Sequence, residues 1–170
     1  MATLGRVLGG HKTTLAFAAT FLLFSVIVAL IIGFIDYRFY EKSVPKIIAE
    51  LIDKEPLYSF QNNGFTKKEG QQLEGQINNY KIILSPFKNM ESDKFLIVLI
   101  PLQIKEGLDE YFAAHDNNFK FSISNELIFA KATLKNYEKE FDYNKLYNLI
   151  NRTTLNFREN KIEPLNIIED

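Results

Sequence analysis

The sequence predicts a single N-terminal transmembrane α-helix followed by a small α+β domain with a mostly antiparallel sheet. Three observations carry that expectation: an uncharged apolar run over residues 15–35, several strand-like runs between residues 77 and 134, and an amphipathic helical pattern near the C-terminus. Four segments follow from it. Residues 1–14 form a short basic tail, 15–35 the transmembrane helix, 36–54 a juxtamembrane amphipathic helix, and 55–170 a soluble α+β domain.

The run "LAFAATFLLFSVIVALIIGFI" holds no charge, no Pro and one Gly in 21 residues. At 1.5 Å per residue it covers roughly 32 Å, matching a hydrocarbon core of about 30 Å. Fourteen of its residues are Leu, Ile, Phe or Val, which together favour insertion by about 4–8 kcal/mol. A core helix of a soluble protein keeps some polar periodicity, and this run has none. A secretory signal has an apolar stretch of about 7–15 residues and a small-residue cleavage site after it. Here the run is longer and ends in "GFIDYRFY", so an uncleaved anchor is expected. With no Cys in the chain, lipoprotein processing and palmitoylation are excluded.

Two features of the span suggest what it touches. Ser25, Ala29 and Gly33 recur every four residues and form a small-residue stripe among bulky neighbours, the pattern that lets a second helix approach closely. Phe34, Tyr37, Arg38 and Tyr40 cluster where the chain leaves the hydrocarbon and form a candidate membrane-interface belt. Arg6, Lys12 and the terminal amine stand on one side of the span and Arg38, Lys42 and Lys46 on the other, a tie. The tail before the span is free of Asp and Glu, and this favours the tail inside and the domain on the extracytoplasmic side. The membrane is then a bacterial inner membrane, or the mitochondrial inner membrane if the source is eukaryotic.

Beyond the span, Ser43 is placed to cap a helix with Pro45 in its first turn, ending any continuation of the span. Val44, Ile47, Ile48 and Leu51 share one face of it, and packing on its own domain is expected because the polar face mixes acid and base. Asn63-Gly64 is read as a two-residue hairpin turn within a segment that is equally a loose linker. "INNYKIIL" (77–84) is read as a strand ended by Ser85-Pro86. "KFLIVLIPLQI" (94–104) is a central strand, since its apolar run leaves no polar face. Gly107 opens a short helix with Leu108, Tyr111, Phe112 and His115 on one stripe. "FKFSIS" (119–124) alternates as a half-buried strand, and Asn125 turns the chain into "ELIFAKATL" (126–134), read as another strand although its Ala and Lys equally support a helix. Asp142 caps a last helix that presents Leu146, Leu149, Ile150, Thr153 and Phe157 to the sheet.

Several stretches imitate functional motifs. "GRVLGGHKTT" misses the P-loop pattern because His11 stands between Gly10 and Lys12, and no strand precedes it. "DEYFAAHD" (109–116) gathers carboxylates with a His, but Asp109 and Glu110 lie six and five residues before His115 rather than one helical turn. His115 reads as a core-edge residue. There is no Cys and no G-x-S-x-G, and one His beyond the span; Glu138 and Glu140 read as a solvated face. Residues 36–170 carry 18 basic and 21 acidic side chains, a net charge of −3 without a basic face, so no nucleic-acid partner is expected.

The expectation for function is a non-enzymatic single-pass subunit of a larger membrane complex, without metal or cofactor. It would meet other membrane subunits through the span and the soluble domain, and scaffold or assist assembly. The alternative is a membrane-anchored binding domain for a lipid or small ligand, with a pocket between the sheet and the last helix.

Overall fold

The computed structural model describes residues 4–68, 71–89, 91, 93–115, 118–124 and 127–165, with side chains from Phe17 onward. Two compact units result, Met1–Ser43 and Val44–Asp170. The first consists of helix α1 (Leu4–Arg38) and a π-helical turn, Phe39–Ser43. The helix begins at Leu4, so the stretch read as a tail is helical from that residue. Ser43 closes the π turn rather than serving as an N-cap, and α2 (Val44–Ile52) starts at the next residue. Pro45 therefore does not break the helical backbone. A ring that lacks an N–H and crowds the carbonyl four residues back is accommodated by widening of the turn ahead of it.

The second unit is a six-stranded, wholly antiparallel sheet in the order β1-β2-β3-β4-β6-β5. Its strands are β1 (Thr66–Lys68), β2 (Gln72–Ile77), β3 (Tyr80–Lys88), β4 (Lys94–Leu102), β5 (Lys120–Ser124) and β6 (Leu127–Lys135). The helices are α2, α3 (Leu57–Asn62), α4 (Leu108–Ala114), α5 (Tyr137–Glu140) and α6 (Tyr143–Glu159). Burial alternates along β3 and β6: Tyr80, Ile82 and Leu84 of β3 and Ile128, Ala130 and Ala132 of β6 are buried. The ring of Tyr80 meets Phe157 of α6, and Phe121 meets Phe112 of α4. One face of the sheet thus carries the core, with Phe60, Leu146, Ile150 and Phe157 of the helices fully buried in it.

Local chemistry explains where the elements fall. Asp142 accepts a hydrogen bond from the Lys145 N–H at 2.8 Å and caps α6 as the sequence predicts. Val44, Ile48, Leu51 and Ile52 of α2 are buried, and α2 packs against β3. β4 lies between β3 and β6, the central position expected of it.

Three turns differ from expectation. Asn63-Gly64 ends helix α3 instead of closing a hairpin. The Gly64 and Phe65 N–H groups donate to the Gln61 and Phe60 carbonyls, Gly64 has φ +94°, and Phe65 packs edge-on against Phe60 at 5.0 Å. The true hairpin is at Asn78-Asn79, both at positive φ (53° and 69°), so Ile77 ends β2 and Tyr80 begins β3. Ser85-Pro86 does not end β3 either. The β2 pairing stops at Leu84, so the missing N–H of Pro86 falls where β2 no longer asks for a donor. The expected turn at Asn125 lies outside the described residues.

Candidate functional site

The α1 unit contains the candidate site. One helical stretch among the described residues, Phe17–Ile52, is long and apolar enough to cross a membrane, and its most apolar part holds no buried residue. Phe17 is 75% exposed and Leu30 69%. Side chains of this kind, left open on every side, do not stabilise a helix in water, where large contiguous apolar patches mark surfaces that meet lipid or protein.

Along this helix Ser25, Ala29 and Gly33 stand at i, i+4 and i+8, the spacing that aligns side chains on one helical side. Ser25 Oγ donates to the Phe21 carbonyl at 2.9 Å, so its polar hydrogen is satisfied within the helix. A Cβ added at Gly33 would meet nothing within 4 Å, which leaves the backbone there open to close approach by another helix. At the C-terminal end Phe34, Tyr37 and Tyr40 remain about half or more exposed. The Arg38 guanidinium stands 6.0 Å from the Phe34 ring centre, and Phe39 and Tyr40 meet edge-on at 5.2 Å. Of the four residues of the expected belt, Arg38 and Phe34 are thus neighbours along the helix.

The second unit offers less chemistry. No group of three or more His, Asp or Glu able to hold a metal occurs among the described residues. His115 is exposed at the C-cap of α4 rather than at the core edge, with Nδ1 2.9 Å from the Tyr111 carbonyl and its ring stacked on Tyr111 at 4.2 Å. Asp109 and Glu110 occupy the first turn of the same helix. The P-loop-like stretch lies in the helical backbone of α1, a setting without the loop that cradles phosphate. Glu140 is solvated, whereas Glu138 is half-buried and paired with Lys94.

Sequence reasoning missed Tyr137, the largest fully buried side chain, whose hydroxyl finds no partner among the described residues. Burial, and secondarily the Glu138 carboxylate, push its phenol far above the ordinary range. Its only signal in the sequence is the Asn136 before it, a residue type that tolerates the left-handed turn (φ 53°) which swings Tyr137 inward. Where a ligand pocket is the alternative expectation, between sheet and last helix, Tyr80, Tyr111, Phe112 and Phe157 pack ring against ring. Compared with known proteins, the chain matches no family model and no curated protein.

Proposed function

We propose that this chain is a non-enzymatic, single-pass membrane-anchored subunit of a larger membrane complex, with its α+β domain on the extracytoplasmic side in a scaffolding or assembly role. The observation that carries the reading is the Phe17–Ile52 helical stretch, whose most apolar part holds no buried residue. Anchoring is what such a surface does most favourably. The Ser25, Ala29, Gly33 stripe supports a helix partner within the bilayer, because small side chains let backbones approach where bulky ones would not. The interface between the sheet and the last helix, filled by the rings of Tyr80, Phe112 and Phe157, supports a contact-making role over a ligand pocket there.

The test has two arms. The full-length chain should stay in the membrane pellet after an alkaline wash, with an intact mass that includes the span; release to the supernatant, or maturation downstream of residue 35, would sink the anchor. Ala29→Leu together with Gly33→Leu should then strip companion subunits from the chain purified in mild detergent. Undiminished co-purification would remove the stripe from the interface.

A further inference from the structure

The sheet has a second face, and within the Val44–Asp170 unit most of its apolar side chains stay partly exposed. Cross-strand register places Ile83 beside Leu99, Ser85 beside Ile97 and Phe87 beside Phe95 on this face. Leu99 is followed by Lys131 on β6, and Pro101 by Phe129. Ile83, Phe87, Phe95, Ile97, Leu99 and Phe129 are all partly exposed, whereas Ile82, Leu84, Leu96, Val98, Ile100, Ile128 and Ala130, which alternate with them, are buried. Apolar residues on both faces of β4 are the pattern of a strand covered on both sides, and here the second side is partly open at Phe95, Ile97 and Leu99 and closes only at Pro101.

The dimensions of this strip select an occupant. From the Phe95 row to the Pro101 row is three two-residue steps, about 20 Å, and from β3 through β4 to β6 is two strand spacings, about 10 Å. A single α-helix of about 13 residues has that length and width. Charge selects its chemistry. Lys120 and Lys131 stand directly opposite one another in register, beside Leu99, and neither has a carboxylate partner among the described residues. Like charges in that position are destabilising. They border a cleft with Asn118, Ser122 and Thr133, all polar donors.

We infer that the open face of the sheet is a docking surface for an acidic amphipathic helix of a partner subunit, its apolar side on Ile83, Ile97, Leu99 and Phe129 and its carboxylates on Lys120 and Lys131. The inference rests on the proposed role as a complex subunit and names the chemistry of the contact. An anionic flank relieves the Lys120–Lys131 repulsion, and the apolar strip leaves water.

A photoreactive amino acid at Thr133, in the full-length chain in native membranes, tests it; a second at Asn144, exposed on α6, is the control. Thr133 should give one light-dependent adduct, and the peptide recovered from it should carry apolar residues at helical spacing with Asp or Glu on one flank. Lys120→Glu should weaken that adduct at least about fivefold, because a buried or half-buried charge pair is lost. The same variant sets a carboxylate opposite Lys131, so its melting temperature should hold or rise, which separates lost docking from lost folding. An adduct with lipid or with a second copy of the chain, an adduct equally strong from Asn144, or no adduct at all would overturn the inference. If the chain meanwhile resists the alkaline wash and migrates within a large complex, the subunit reading stands and only the docking face fails; a chain that leaves the membrane or migrates alone ends both.

Discussion

At the scale of single residues, two positions in the α+β unit make opposite predictions. A Cβ at Gly75 would sit 2.5 Å from the Phe65 ring, whose Cγ and Cδ atoms are too near the backbone to swing away. Gly75→Ala should therefore cost about 1–3 kcal/mol, as overpacking does, and lower the melting temperature of the full-length protein in detergent. An unchanged melting temperature would mean that Phe65 relaxes freely. Tyr137 runs the other way, since its buried hydroxyl has no partner among the described residues and costs stability as it stands. Tyr137→Phe should be neutral or stabilising at pH 7, by at most about 1–3 kcal/mol. Its larger effect is on pH dependence. Burial raises the phenols of Tyr80, Tyr111, Tyr137 and Tyr143 above their ordinary value. Above about pH 10 the unfolded chain loses these protons while the folded chain keeps them, so stability present below that pH declines as pH rises. Thermal melts from pH 8 to 11 should show the decline, and Tyr137→Phe should flatten it. Neither position was legible in the sequence: Gly75 is constrained by a ring ten residues earlier that only the sheet brings near, and Tyr137 by a helix of four residues, too short to show a period.

At the scale of elements, what could be read was whatever a short window of sequence decides. The last helix announces itself through Asp142 and an apolar stripe, and its cap and its buried Leu146, Ile150, Thr153 and Phe157 are as expected. Asp142→Ala should cost about 0.5–2 kcal/mol and Asp142→Asn much less, since the amide oxygen can still accept from the Lys145 N–H. Equal losses from the two variants would assign the effect to the carboxylate charge instead. The same logic explains the misread turns. Asn-Gly suits both a two-residue hairpin and the end of a helix, because each needs positive φ at the Gly, and nothing local distinguishes them. What decided it was Phe65 closing over Phe60, a contact made only once α3 exists. Asn78-Asn79 was hidden by apolar neighbours on both sides. It is held from a distance as well, since the Asn78 amide donates to Asn151 and Thr154 of α6, which no window of strand length could reveal.

At the scale of the whole molecule, the long apolar helix and the antiparallel sheet were legible, whereas which face of the sheet is covered was not. An apolar strand such as β4 reads as buried on both sides, yet a sequence does not say whether the second cover comes from the same chain. The candidate site divides in the same way. The stripe at Ser25, Ala29 and Gly33 and the cluster at Phe34, Tyr37, Arg38 and Tyr40 follow from helical spacing alone, but spacing does not name what would meet them. Topology is the quantity at this scale that a direct measurement can fix. Arg6 and Lys12 before the span do not outnumber Arg38, Lys42 and Lys46 after it, and the acid-free N-terminal stretch is what favours an extracytoplasmic domain. Because the chain has no Cys, Ser124→Cys introduces a single thiol at an exposed position of the edge strand β5. A membrane-impermeant thiol reagent applied to intact cells, or to organelles stripped of their outer membrane, should label it without lysis. Labelling that appears only after lysis would place the domain on the inner side, and it would mean that two basic residues before the span fail to outweigh three after it even when no acid accompanies them.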